Sequence, residues 1–262
     1  SMDDAWAMGF DHIALCLGAG KPTVLDIPNG LARGVRAASD FLMALQLTGA
    51  AKLSSIANLQ LRLPVVVIGG GLTAIDTATE SLAYYVRQVE KFALRHRLLV
   101  EERGEAVVRR RWNAEETVVA EEFLAHAAAI HAEREAAARE GRPPRLAQLL
   151  EQWGGATIAY RRRLIDAPSY TLNHEEVAKA MEEGIRFAEG LSPAAVEIDR
   201  FGHADRLTLT RHRIDAASGK LLDTEESVTL PARTILVAAG TQPNTVLGRE
   251  DPVHVALDGR FF

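Results

Sequence analysis

The chain has 262 residues, 47% of them hydrophobic and 25% charged, which is enough to bury one large core or two small ones. Its single cysteine, Cys16, excludes an internal disulfide framework and a cysteine-only metal cluster, and the expected compartment is cytoplasmic. A net charge of −5 gives no general attraction to nucleic acid or to an anionic membrane, and no apolar run has the length of a bilayer span, so neither is expected as a partner.

The opening, SMDDAWAMGF, is acidic where a signal peptide is basic, so no signal peptide is expected there. Ile13 to Leu17 then form an apolar run that predicts a buried strand, ending in Gly18, Ala19 and Gly20, small residues that permit close backbone approach. Ile27, Pro28, Asn29 and Gly30 predict a turn. Ser39 is the expected cap of a helix carrying Phe41, Leu42, Leu45 and Leu47.

Residues 63–78 read LPVVVIGGGLTAIDTA. Val65, Val66, Val67 and Ile68 show no polar alternation, as expected of a parallel strand covered on both faces. The run stops at Gly69, Gly70 and Gly71, and Leu72, Thr73, Ala74 and Ile75 resume at helical spacing. Strand, glycine bend and helix in that order match the dinucleotide fingerprint G-x-G-x-x-A at Gly69, Gly71 and Ala74. Its first glycine makes the tight turn, its second admits a pyrophosphate and its small third residue lets helix pack on strand. The expected place of the phosphates is the helix N-terminus, where free N–H groups and the helix dipole favour an anion.

The fingerprint helix is expected to end near Val89. Residues 87–152 are rich in Ala, Glu and Arg, with apolar residues such as Val118, Val119, Phe123 and Leu124 at three-and-four spacing. They predict a helical insertion, broken at Gly104 and again over residues 141–144, GRPP. After Gly154 and Gly155 a short strand is expected over 156–159, followed by Tyr160, Arg161, Arg162 and Arg163. A helix over 173–183 is expected next, with Asn173 and Glu176 as a capping box. Strands follow over 185–188 and over 196–199, the latter pairing across Gly202 with Leu207, Leu209 and Arg211, and Val228 to Leu230 can add a third. Thr234 to Ala239 close the series as a second buried strand ending in small residues. The fold these elements predict is α/β: a Rossmann-like three-layer nucleotide-binding domain with a parallel sheet, a small antiparallel β-meander and the helical insertion.

In such a unit the end of the second strand faces the adenosine ribose, where an acid binds the 2′-hydroxyl of NAD and arginine accommodates the 2′-phosphate of NADP. Here that strand ends in arginines, and guanidinium groups match phosphate with paired, charge-assisted hydrogen bonds. Other constellations read as ordinary surface. His126 with His131, and His203 with His212 on the hairpin, lack metal-ligand spacing. Arg109, Arg110, Arg111 and Trp112 are diluted by Glu101, Glu102, Glu115 and Glu116. Asp76 is expected to act structurally near the bend, not as a base.

FDHIALCLGAGKP, GVRAASDFLMAL, VVVIGGGLTAID, AYRRR, AMEEGIRF and ARTILVAAGTQPN occur in the order found in one family, and the chain resembles the small-subunit type of glutamate synthase. That family belongs to the pyridine nucleotide-disulfide oxidoreductase flavoproteins with two dinucleotide-binding domains. The resemblance covers nearly all of the chain outside the helical block. It implies an NADPH-binding domain inserted into an FAD-binding domain, hydride passing from NADPH to FAD, and an iron-sulfur partner or large catalytic subunit beyond.

On that resemblance residues 1–36 and 231–262 are edges of the FAD-binding domain, residues 37–86 and 153–230 form the NADP-binding domain, and 87–152 is the insertion. It implies cofactor contacts at Gly69, Gly70, Gly71, Leu72, Thr73, Ala74 and Asp76, at Tyr160, Arg161 and Arg162, and at Ala239, Gly240 and Thr241. Gly18 and Ala19 would lie with Gly240 near the domain junction. Leu72 and Thr79 stand where the family usually has asparagine and arginine, while Asp76 matches. The FAD site is incomplete in this sequence. The alternative reading is a docking module whose nucleotide site has decayed and whose helical block binds a partner.

Overall fold

The computed structural model describes residues 1–215, 221–259 and 261; Arg260 and Phe262, in the expected return segment, lie outside the described residues. In chain order the elements are α1 (Met2–Ala7), β1 (Lys21–Pro22), β2 (Val35–Ala37), α2 (Ala38–Leu47), β3 (Val65–Ile68) and α3 (Leu72–Arg103). Next come α4 (Glu105–Arg109), α5 (Ala114–Glu140), α6 (Leu146–Gln152), β4 (Ala156–Tyr160), α7 (Pro168–Glu182) and β5 (Arg186–Glu189). The series ends with β6 (Leu191–Ile198), β7 (Ala204–Ile214), β8 (Leu221–Pro231), β9 (Thr234–Val237), β10 (Thr241–Gln242) and α8 (Val246–Glu250). The chain divides into two units, one of residues 1–23 with 239–262 and one of residues 24–238. Among the described residues no helix is long and apolar enough to cross a membrane.

The larger unit is built on a five-stranded sheet in the order β2-β9-β3-β4-β5, with every neighbouring pair parallel. Successive side chains of a strand point to opposite faces, and β3 shows what this demands of a central strand. Val65 and Val67 pack into a core with α2, α3, α5 and α7, whereas Val66 and Ile68 pack into a second core beneath the antiparallel sheet β6-β7-β8. All four are buried, which is why the run carries no polar residue. Helices, parallel sheet and β-meander are the three layers of a Rossmann-like fold, as the sequence predicts.

The helical block extends the first layer. Phe123 of α5 meets Tyr85 and Phe92 of α3 edge-on, and Val119, Ala127 and Ile130 join the same core as Val65 and Val67. Glu122 ties this block to the sheet. It accepts hydrogen bonds from the buried Arg62 (2.6 Å) and from Arg233 (2.7 Å), which stand just before β3 and β9. Thr234 Oγ1 crosslinks the same strand ends, accepting from the Arg62 N–H and donating to the Arg62 carbonyl.

Four local expectations are corrected. Residues 13–17 form no strand: Ala14, Leu15 and Cys16 are exposed. A strand needs a neighbour for its N–H and C=O groups, and in the smaller unit Lys21–Pro22 pair with Thr241–Gln242 and Asp258 bridges Phe261, neither of which engages residues 13–17. The fingerprint helix runs past Val89 to Arg103, since nothing breaks its apolar spacing before Gly104. Ala37, in extended conformation, precedes α2, so Ser39 lies inside the helix and caps nothing. Helix α7 starts at Pro168, whose fixed φ suits a first turn, and Asn173 is a non-helical kink within it (φ −156°, ψ 76°), not its N-terminus.

In the smaller unit His254 bonds Asp251 (2.7 Å) and Asp3 (2.9 Å), and these carboxylates, Asp251 foremost, hold its proton above the usual imidazole range. Returning to the larger unit, Glu122→Ala leaves the buried Arg62 guanidinium without its carboxylate. We expect a loss of about 3 kcal/mol in urea denaturation, as for other broken buried ion pairs; a loss below about 1 kcal/mol, the range of exposed pairs, would mean that α5 is not tied to the sheet there.

Candidate functional site

The glycine bend leaves the sheet between two neighbours that dictate its first two residues. Gly69 has φ +152°, and a Cβ there would lie 2.3 Å from the Ala238 carbonyl oxygen at the end of β9. A Cβ on Gly70 would lie 2.4 Å from the Tyr160 ring at the end of β4. Neither position has room for a side chain. Around Gly71 the situation reverses, since a Cβ there would meet nothing within 4 Å. Two glycines are thus required by the protein's own packing, and the third borders open space.

Helix α3 begins immediately after Gly71 with no side chain capping it and no acid in its first turn. Its first N–H groups and the positive end of its dipole are therefore unmatched by protein charge. Helix α5 is treated differently: Asn113 and Glu116 form a complete capping box. Leu72 and Thr73 are exposed at the open end of α3, and buried Ala74 packs into the core below. Asp76 is exposed one turn on, and Thr79 turns its hydroxyl back to the carbonyls of Ile75 and Asp76.

Strands β3 and β4 are adjacent and in register from Val65↔Ala156 to Ile68↔Ala159, so the bend and the Tyr160-Arg161-Arg162 segment emerge side by side at the carboxyl edge of the sheet. Gly70 joins them twice. Its Cα faces the Tyr160 ring, and its carbonyl accepts the Ser169 N–H (3.0 Å) at the start of α7. Of the three arginines, Arg163 is committed to Asp166 through two hydrogen bonds, 2.7 and 2.9 Å. That pairing holds the Asp166 carboxyl below the usual carboxylate range and raises Arg163. Arg161 and Arg162 are exposed, and no described residue hydrogen-bonds or ion-pairs with either guanidinium.

The structure therefore brings Gly69, Gly70, Gly71, Leu72, Thr73, Ala74 and Asp76 together with Tyr160, Arg161 and Arg162. Sheet order marks the same edge. From β3 the chain moves to β4 and β5 on one side, while β9 on the other side is reached only after the meander. Such a switch point leaves a crevice at the carboxyl ends of the strands. Ala239, Gly240 and Thr241 belong to the smaller unit, where the Gly240 carbonyl accepts the Thr23 N–H and Thr241 pairs with Pro22.

Sequence reading missed Ser169, Asp166 and Glu189. Asp166 was legible as an acid three residues beyond Arg163; Glu189 becomes relevant only once β5 is known to lie beside β4, where it pairs with Tyr160. A separate cleft of about 370 Å³ opens at the amino edge of the sheet, lined in part by Arg33, Arg36, Gln60 and His203. Arg33 there is already bound by Glu115 and the Phe201 carbonyl. Of the histidines, His126 stacks on Trp153 and bonds the Tyr85 hydroxyl, and His203 stands in the turn before β7, not on the strand opposite His212. Arg109 is paired with Glu105 and Glu121.

No known family profile matches the chain. Uncharacterized protein RP006 of Rickettsia prowazekii (strain Madrid E) is 39% identical over 254 residues, covering 93% of this chain and 33% of that protein. The chain thus spans about a third of the length of this curated relative. Among solved structures, Mycobacterium tuberculosis FprA in complex with NADPH is similar over 91% of this chain and 52% of its own, at 15% identity and TM-score 0.45. A FAD-dependent pyridine nucleotide-disulphide oxidoreductase from Desulfovibrio vulgaris matches over 96% and 40% respectively, at 16% identity and TM-score 0.44. A ferredoxin reductase from Rhodopseudomonas palustris matches over 88% and 35%, at 12% identity and TM-score 0.42.

The difference between the two helix ends is measurable. Thr73→Asp supplies the charge that α3 lacks and should raise stability by about 0.5 kcal/mol, while Asn113→Ala should cost about 1 kcal/mol by uncapping α5. A Thr73→Asp protein less stable than wild type would show that the first turn of α3 is already satisfied.

Proposed function

We propose that this chain is the NADPH-binding part of a flavin oxidoreductase with two dinucleotide-binding domains, resembling the small subunit of glutamate synthase. The observation that carries the reading is the uncapped, acid-free start of α3 beside two arginines that have no hydrogen-bond or ion-pair partner among the described residues, on adjacent strand ends. An anion that fits both places must carry separated phosphates, as NADPH does. In this reading the N–H groups of Gly71, Leu72 and Thr73 receive the pyrophosphate, and Arg161 and Arg162 receive the 2′-phosphate. The Tyr160 ring walls the passage between them. When bound, NADPH supplies the hydride; the task of these residues is to hold and orient it.

On the same reading the segments 1–36 and 231–262, apart from the strands β2 and β9 that they lend to the parallel sheet, are with Ala239, Gly240 and Thr241 the edges of an FAD-binding domain, and the acceptor of the hydride is FAD in the complete enzyme. Electrons would pass from there to an iron-sulfur or large catalytic partner, and the reaction would run in the cytoplasm. This chain by itself should not turn over. The competing reading, a docking module built on residues 87–152, has less behind it, because the core takes Val119, Phe123, Ala127 and Ile130 of α5 and leaves Val118 as its exposed large apolar residue.

Titration of the chain with NADPH and NADH tests the proposal. We expect NADPH to bind at least tenfold more tightly, and Arg161→Ala with Arg162→Ala to remove about 2 kcal/mol of that preference, as for charged hydrogen bonds elsewhere. Thr73→Asp should weaken both nucleotides. Equal affinity for both in the wild-type chain, or binding of neither, would overturn the assignment.

A further inference from the structure

The segment between β4 and α7 is fastened at both ends to a single residue. Tyr160 lies against the Cα of Gly70, and the Ser169 N–H donates to the Gly70 carbonyl. Between those ends the corner after β5 adds two holds. The Gly190 N–H donates to the Arg162 carbonyl (3.2 Å), and a Glu189 carboxylate oxygen accepts the Leu164 N–H. Arg163, flanked by these bonds, folds back on Asp166 across a single turn of 3₁₀ helix over Leu164–Asp166. Both backbone neighbours of Arg163 are thus gripped, and its own side chain is occupied. The two side chains left over, Arg161 and Arg162, are the exposed ones.

An exposed loop bearing three arginines would ordinarily scatter its side chains to reduce mutual repulsion, and a phosphate would then have to collect them at an entropic cost. Here one of the three charges is neutralised internally by Asp166, and the backbone that carries the other two is pinned. We propose that the Glu189–Gly190 corner and Asp166 are positioning elements that preset Arg161 and Arg162 for a 2′-phosphate, so that cofactor preference is built into a preformed loop. This rests on the proposed NADPH site and names what enforces its specificity. Glu189 acts as a hydrogen-bond acceptor for the loop backbone and touches no part of the nucleotide.

The role as acceptor separates it from a role as charge. Glu189→Gln keeps an oxygen for the Leu164 N–H, and Glu189→Ala does not. Calorimetric titration of the full chain should show Glu189→Ala weakening NADPH about tenfold while NADH affinity stays within about twofold of wild type, since preorganisation of the arginines matters only to the phosphate. Glu189→Gln should retain the wild-type preference. Three results would overturn the proposal: both nucleotides weakening together in Glu189→Ala, tighter NADPH binding in both variants, or no change in either. If Arg161→Ala abolishes a preference that Glu189→Ala leaves intact, the NADPH site stands and the positioning role falls. If the wild-type chain shows no preference, both fall.

Discussion

A helix of 32 residues starts one short bend away from a fully buried strand, and no side chain covers its first N–H groups. That uncovered pole is the constraint on which the arrangement of the larger unit turns. Side-chain caps occur at α1 and α5, whereas α2, α3, α4, α6, α7 and α8 start without one, so α3 is set apart by where it starts. The start of α3 is left open at the carboxyl edge of a parallel sheet, where the chain reverses its order of strand addition. The glycines around it are explained by packing as far as Gly70 and by open space from Gly71 onward. Packing accounts for Gly69 and Gly70, and it leaves Gly71 and the start of α3 bordering open space.

The second half of the site depends on the first through Gly70. With a side chain there, Tyr160 would be displaced, and the arginine loop would lose that mooring while the Ser169 N–H still met the Gly70 carbonyl. Loop placement is thus set by the glycine bend on one side and by the end of β5 on the other. The helical block steadies the opposite edge of the same sheet. Glu122 gathers Arg62 and Arg233 at the amino ends of β3 and β9, so the strands that present the site are braced from below by α5. An insertion that supplies part of the core and a buried ion pair is integral to the fold.

The sequence made the centre of this structure legible and its margins much less so. Four consecutive apolar residues followed by three glycines announce a two-sided strand and a tight bend, and both occur as read. The adjacency of β4 followed from the expectation of a strand-helix-strand unit despite the long helical block between. By contrast, Ile13 to Leu17 look like a strand because apolar runs do, yet a strand exists only where a neighbour completes its hydrogen bonds. The end of α3 was misjudged because a change in composition near Val89 is no physical stop, whereas Gly104 is. Glu122 and Glu189 were invisible for a simpler reason: their partners are distant in sequence or are backbone groups, and neither leaves a local pattern.

The most direct test of a single nucleotide spanning both places is a 15N chemical-shift map of the chain with NADP+ added stepwise. Backbone N–H signals of Gly71, Leu72 and Thr73 and the guanidinium signals of Arg161 and Arg162 should shift together, along one saturation curve. Shifts at only one of the two places, or at the Arg36 cleft on the opposite edge of the sheet instead, would contradict the account.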